Sequence, residues 1–264
     1  MNDDQFRRIL DDFGLSWPGY RKVRKAVIKR LVRHMHQEGV RDAGEYLERT
    51  RTQPTLRRET QRRLTVSVSR FFRDRFLWKY LQENLLPKLL SQNPARVHVW
   101  SAGCALGQEA YSFVMLWQRL VDAMGPLPPL SVLATDMNRE YLETAASGIY
   151  TRTMVKGVPE DCLNRFFQVE NDRCVIGKDL RDVISWMHHD LTDAPPLPGP
   201  FHIVFMRNNL LTYYRKENHP GPVKRIVGRL IRGGCLIVGT REHLSHDAFG
   251  LSAVSDCPGV YRKT

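Results

Sequence analysis

Four places in the second half of the chain carry residue types suited to holding a small polar ligand. The first is the stretch 96–117, RVHVWSAGCALGQEAYSFVMLW. Its β-rich run Val97-His98-Val99-Trp100 is followed by small residues through Gly103, and Gly107 opens a segment of helical spacing with Glu109 in its first turn. Glycines let backbone approach a ligand, and a helix start offers unpaired N–H groups. The second is Asp136, at the end of the apolar run Leu130–Thr135. Both oxygens of such a carboxylate can accept from the 2′ and 3′ hydroxyls of a ribose. Asp190 and the pair Arg207-Asn208, which ends the run His202–Met206, are the third and fourth. The 103/107 glycine spacing is neither the dinucleotide fingerprint nor a P-loop. Alone it is also compatible with a tight βα turn of any α/β protein.

These residues need elements to hold them. Strand-like and helical patterns alternate through most of 96–264, which predicts a mainly parallel sheet with helices on both faces. In such a sheet a ligand sits outside the carboxyl ends of the strands, where all four candidates fall. Within it, 158–167 reads as a short helix. Arg173–Ile176 and Val183–His188 read as two strands around a turn, a small antiparallel excursion. Pro222–Ile231 reads as a helix, Gly233-Gly234 as a turn, Cys235–Gly239 as a strand and the last residues as an edge pair.

The first third is different. Residues 1–90 hold 21 Lys/Arg against 11 Asp/Glu and carry most of the +12 net charge. Helical patterns cover 4–15, 20–38 and 42–50, and a further arginine-rich one follows. In the second, Val23, Val27, Leu31 and Met35 step by four along one side, while Arg21, Lys25, Lys29 and Arg33 step by four along the other. Such a ridge suits an acidic partner, or simply a solvated helix face. Ser67–Asp74, SVSRFFRD, then precedes a helical run over 75–90. Five scattered cysteines without C-x-x-C spacing predict reduced thiols and no metal site. No apolar run approaches the ~18 residues of a membrane span, and MNDDQF is no signal peptide. A cytoplasmic protein is expected.

SRFFRD, VWSAGCALGQEAYS, ATD, GIY and FMRNNLLTYY, in that order, resemble the motifs of the chemotaxis receptor methyltransferases, the CheR family, over nearly the whole chain. The resemblance implies an S-adenosylmethionine (SAM)-dependent protein-glutamate O-methyltransferase, leaving S-adenosylhomocysteine. The implied fold is α/β: a Rossmann-like methyltransferase sheet over 96–264, a small antiparallel β subdomain inserted at about 150–190, a helical basic N-terminal domain over 1–75 and a linking helix over 76–95. By matched position, Ser67, Ser69, Arg73, Gly103, Glu109, Asp136, Asp190, Leu191, Arg207 and Asn208 would bind the cofactor, and Arg73 would orient substrate or cofactor. The ridge Arg21, Lys25, Lys29, Arg33 would dock the acidic helices of a methyl-accepting chemoreceptor's cytoplasmic domain or a similar protein. A monomer with no stable nucleic acid partner is expected.

Ser67 and Ser69 stand for the family's Asn and Thr, Gln108 for the first of two glutamates, Asp190 for a common Asn and Asn209 for an apolar residue. QVENDRCVI, 168–176, lacks the glycines of members whose subdomain grips a receptor tail, and predicts independence of such a tether. The competing expectations are a SAM-binding relative with another substrate, protein or nucleic acid, and a non-catalytic sensor or scaffold. Against nucleobase methylation, the strand ending at Arg207-Asn208 has no Asn/Asp-Pro-Pro-Tyr motif.

Overall fold

The computed structural model describes residues 1–264 except Val68, 195–198 and the side chain of His246. It falls into two units. One comprises Met1–Ser67 with Asn208–Gly221, the other Val68–Arg207 with Pro222–Thr264.

The smaller unit is helical: α1 (Asp3–Asp12), α2 (Trp17–Tyr20), α3 (Arg24–Gln37), α4 (Ala43–Thr52) and α5 (Pro54–Leu64). A capping box between Asn2 and Gln5 starts α1, and Asp42 caps α4. Phe6, Leu10, Tyr20, Val27, Leu31 and Tyr46 form the centre of its core. Arg30 binds the Arg63 and Thr65 carbonyls at the C-terminal end of α5. The period of four along α3 separates as expected. Val27, Leu31 and Met35 are buried, while Arg21, Lys25, Lys29 and Arg33 are exposed. Arg21 lies in the turn before the helix. The 208–221 segment joins this unit through Ser16 N–H to the Tyr213 carbonyl and a bridge between Leu15 and Tyr214.

Near its start the larger unit carries Phe71–Asp74 and continues as α6 (Arg75–Tyr80), a π turn and α7 (Leu86–Leu90). Then β1 (Val97–Ala102), α8 (Gln108–Met124), β2 (Leu130–Asp136) and α9 (Arg139–Ser147) form the expected alternation. Next come β3 (Ile149–Thr151), α10 (Glu160–Phe166), β4 (Phe167–Glu170), β5 (Arg173–Ile176), α11 (Lys178–Arg181), β6 (Ile184–His188) and β7 (Phe201–Met206). After the excursion that carries α12 (Leu210–Tyr213), the chain returns with α13 (Pro220–Gly228), β8 (Leu230–Val238), β9 (Leu251–Ala253) and β10 (Val260–Lys263).

The described residues build a seven-stranded sheet of order β6-β2-β1-β7-β8-β10-β9 and a three-stranded sheet of order β3-β5-β4. β6, β2, β1, β7 and β8 are parallel, while β10 and β9 close one edge in antiparallel pairing. This is the Rossmann-like methyltransferase fold with a small antiparallel sheet. Val97, Val99, Phe113, Ile203 and Phe205 stand at the centre of its core.

Local readings differ at three points. β6 does not pair with β5: it joins the large sheet beside β2, Val132 opposite Ile184. The partners of β5 are β3 and β4, strands of three and four residues that carry too short a pattern to be read. β8 begins at Leu230, so the helix before it ends at Gly228 rather than Ile231. Gly233-Gly234 do not turn the chain but lie within β8, where the pairing with β7 shifts register. A Cβ on Gly234 would sit 3.0 Å from the Ile231 carbonyl oxygen and 3.1 Å from that of His202, a tight fit that favours glycine there.

Candidate active site

The parallel strands β6, β2, β1 and β7 are sheet neighbours and end at His188, Asp136, Ala102 and Met206. Gly103, Asp136, Asp190 and Arg207 therefore meet at one edge of the sheet. Geometry at this edge divides into a carboxylate-lined half and an arginine-centred half.

Asp136 organises the first half. It is 8% exposed, and its oxygens accept from Ala105 N at 2.9 Å and Asn138 N at 2.9 Å. The Thr135 carbonyl receives both Gly103 N and Cys104 N, folding the β1–α8 loop onto the end of β2. Gly103, Ala105 and Gly107 all have positive φ. Burial pushes the Asp136 carboxyl above the ordinary range, against the pull of those two N–H donors; nearby Asp190 pushes it the same way. Each carboxylate oxygen has a second lone pair, so two hydroxyl donors can still be received. Asp190 folds back on its own loop, its Oδ1 accepting from Thr192 N and Oγ1. Arg225 of α13 holds that loop through the Thr192 and Asp193 carbonyls, and Leu191 is half-buried within it.

Arg207 organises the second half. Its side chain is 3% exposed. Nη1 donates to Glu109 Oε2 at 3.0 Å, and Nη2 donates to the Asp74 carboxylate and to the Arg73 carbonyl. Ser101 Oγ donates to the other Glu109 oxygen at 2.8 Å. One guanidinium thus joins the end of β7, the first turn of α8 and the segment Phe71–Asp74. Glu109 is both a helix-start acid and a partner of this arginine. Arg207 Nε and Gln108 Oε1 are buried without a hydrogen-bond partner among the described residues. Phe71 and Phe72 are core residues, 2% and 7% exposed, rather than stacking platforms.

Of the other sequence-chosen residues, Ser69 and Arg73 are half-buried in the larger unit, while Ser67 and Asn208 belong to the helical unit. Asp74, Ser101, Ala105 and Asn138 join these contacts without a sequence motif that marks them individually. Asp74 carries a weak signal as the acid beside Arg73. Backbone grips by Ala105 and Asn138 leave no side-chain signature.

Adenosine and amino-acid ends of SAM differ in the groups they need, and the two halves differ likewise. A buried acid with spare acceptor capacity suits a ribose diol. A buried arginine with one unfilled N–H, set beside an acid, suits a zwitterionic amino-acid head. The residues present therefore fit the cofactor.

Comparison with known proteins agrees. The family model described as CheR methyltransferase, SAM binding domain, matches residues 67–256. Chemotaxis protein methyltransferase 1 of Pseudomonas aeruginosa is 31% identical over 240 residues, covering 89% of this chain and 87% of that protein. The chemotaxis protein methyltransferase of Listeria monocytogenes is 28% identical over 253 residues, covering 95% and 94%. An uncharacterized 104.1 kDa protein of Rhodobacter capsulatus is 32% identical over 220 residues, but this chain spans only 23% of its length. Among solved structures, a glycopeptide N-methyltransferase complexed with sinefungin gives a TM-score of 0.37 at 11% identity, over 66% of this chain and 52% of that one. The matched domain and the 31% identity over most of both chains lead to one conclusion: the chain belongs to the CheR family of SAM-dependent methyltransferases.

Proposed function

We propose that this protein methylates glutamate side chains on the cytoplasmic domain of a methyl-accepting chemoreceptor, or on a similar acidic helical protein, acting as a cytoplasmic monomer. The observation that carries the reading is a buried, ribose-suited Asp136 at the end of β2 and a buried Arg207 at the end of β7, on either side of β1. Asp136 would hold the ribose, and the Asp190–Leu191 loop, braced by Arg225, the base. Gly103, Glu109 and Arg207 would hold the amino-acid end; by motif position alone, Ser67, Ser69, Arg73 and Asn208 are further candidates for cofactor contact. Bound SAM supplies a methyl group on a sulfonium.

A glutamate carboxylate is already anionic at neutral pH, so it needs no general base. What the protein must supply is in-line placement and exclusion of water. The side chains gathered here are of that kind: acids tied to an arginine or to backbone N–H groups, fixed before any acceptor arrives. Arg73 is the cation suited to orienting a carboxylate. Docking would use the exposed ridge of α3, where the i, i+4 spacing of Lys25, Lys29 and Arg33 matches acids one turn apart on a partner helix, together with Arg21 in the turn before it. Among the described residues no helix is long and apolar enough to cross a membrane.

The test uses radiolabelled SAM with a purified receptor cytoplasmic fragment. Base-labile label released as methanol is expected, and a Lys25→Gln/Lys29→Gln/Arg33→Gln variant should raise KM several-fold at low salt. That difference should shrink as salt rises. Label that resists alkali, or that enters RNA instead, would overturn the substrate reading.

A further inference from the structure

The segment that carries Arg73 has an unusual backbone. Phe72 and Asp74, on either side of it, both lie in the left-handed region, with φ of 48° and 62°. Neither is glycine. Such conformations are sparsely populated by residues with a Cβ and persist only where surrounding contacts over-determine them. Here the contacts can be named. Phe72 N donates to Ser112 Oγ at 2.9 Å, and Ser112 Oγ donates to the Gln108 carbonyl at 2.6 Å, in the first turns of α8. Ser112 is fully buried. The Arg73 carbonyl accepts from Trp78 Nε1 at 2.8 Å and from Arg207 Nη2, which also binds the Asp74 carboxylate.

Packing adds a third side. The Phe71 ring meets Tyr150 and Phe167 edge-on at centroid distances of 5.0 and 5.7 Å, and Phe72 meets Trp78 at 5.5 Å. Gly157 backs onto the Phe71 carbonyl so closely that a Cβ there would stand 2.6 Å from it. The four-residue segment is thus fixed from α8, from β7 through Arg207, and from the loop and strands of the small sheet. Stability alone does not require a strained backbone at this position. A strained backbone does fix the direction in which Arg73 leaves it.

We propose that Ser112 and Asp74 are positioning residues for methyl transfer: they pin the two left-handed residues that flank Arg73, Ser112 from α8 and Asp74 through Arg207. The proposal rests on the methyl-transfer reading above for its catalytic part and on the hydrogen bonds alone for its anchoring part. Ser112 touches neither substrate nor cofactor in this scheme. It accepts the one N–H that a left-handed Phe72 turns toward α8. Asp74 is matched to its conformation as well as to Arg207, because Asp and Asn tolerate positive φ better than other side chains with a Cβ.

The experiment compares the full chain with Ser112→Ala and Asp74→Asn. Amide exchange is followed on the peptide 70–77, and kcat is measured at saturating SAM and receptor fragment. Ser112→Ala should speed exchange in 70–77 by about tenfold or more while leaving β1 and β7 protected. In the same protein kcat should fall about 10- to 100-fold, the range a displacement near 1 Å produces. Asp74→Asn keeps the backbone preference and the side-chain size, and should lower kcat in the same direction with a smaller change in exchange. It decides the matter if Ser112→Ala does not fold. Unchanged exchange at 70–77 in Ser112→Ala, or faster exchange with kcat unaltered in both variants, overturns the proposal. The exchange measurement needs no methyl acceptor. A wild-type chain that left the receptor fragment unmethylated would therefore end the substrate reading, while exchange would still judge the anchor.

Discussion

Replacing Arg207 with methionine isolates the contribution of the guanidinium that joins β7, α8 and the Phe71–Asp74 segment. The substitution keeps most of the stem's volume and removes the charge. It leaves two carboxylates facing an apolar side chain: Glu109, 16% exposed, and Asp74, 30% exposed. Removing one member of a buried pair costs about 3–5 kcal/mol, because the remaining charge is stranded. Both acids keep some contact with water, so the lower end applies, about 3 kcal/mol. For a unit of this size that lowers Tm by about 6–12 °C. The stranded carboxylate has a remedy. In Arg207→Met/Glu109→Leu the better-buried acid is gone, so the double variant should be more stable than Arg207→Met alone, with a coupling of about 1–3 kcal/mol. Four of the five tryptophans, Trp78, Trp100, Trp117 and Trp186, lie in the larger unit, so intrinsic fluorescence in urea reads the relevant transition. Additive costs for the two single changes, within about 0.5 kcal/mol, would show that the two side chains do not interact and would refute the network.

Two further measurements test the packing, one beside the site and one away from it. Gly107 has φ +79°, and a Cβ on it would stand 2.6 Å from the Trp186 ring and 2.8 Å from Ala145 Cβ. Gly107→Ala should cost about 2–4 kcal/mol in urea, from the left-handed penalty plus displacement of Trp186; a loss below 1 kcal/mol would contradict the packing. His34, His98 and His202 are each held below the ordinary histidine value, by burial first and neighbouring cations or the paired ring second. The unfolded chain then binds protons near pH 6.5 that the native chain resists, so stability should fall as pH drops from 7.5 to 5.5. The slope is bounded by about 1.4 kcal/mol per pH unit for each histidine. An unfolding midpoint that stayed level over that range would count against the partial or full burial of these rings.

What could be read from the sequence was whatever local pattern alone dictates. Asp136 and Arg207 announce themselves because a polar residue after an apolar β run marks a strand end, and parallel sheets gather such ends at one edge. The ridge on α3 was legible because a period of four separates Val27, Leu31 and Met35 from Lys25, Lys29 and Arg33 without reference to any other element. Pairing is another matter. The run 184–188 reads equally well as a hairpin partner or as an edge strand of the parallel sheet. The choice is made by β2, some 50 residues earlier in the chain, and not by anything in the run itself. Site electrostatics follow the same rule. The sequence contains Asp74, Glu109 and Arg207, but their meeting requires α8 to follow β1 and β7 to lie beside β1, and both are consequences of topology. Motif position alone gives Glu109 to the cofactor, and geometry adds that the same carboxylate neutralises Arg207 and takes a proton donor from Ser101. A cofactor amino group arriving at Glu109 must therefore share an acid that is already engaged. Arg207 would keep its second carboxylate, Asp74, throughout. On the reading proposed above, cofactor binding would then be coupled to the segment that bears Arg73: a weakened Glu109 contact would leave Asp74 as the main carboxylate partner of the guanidinium.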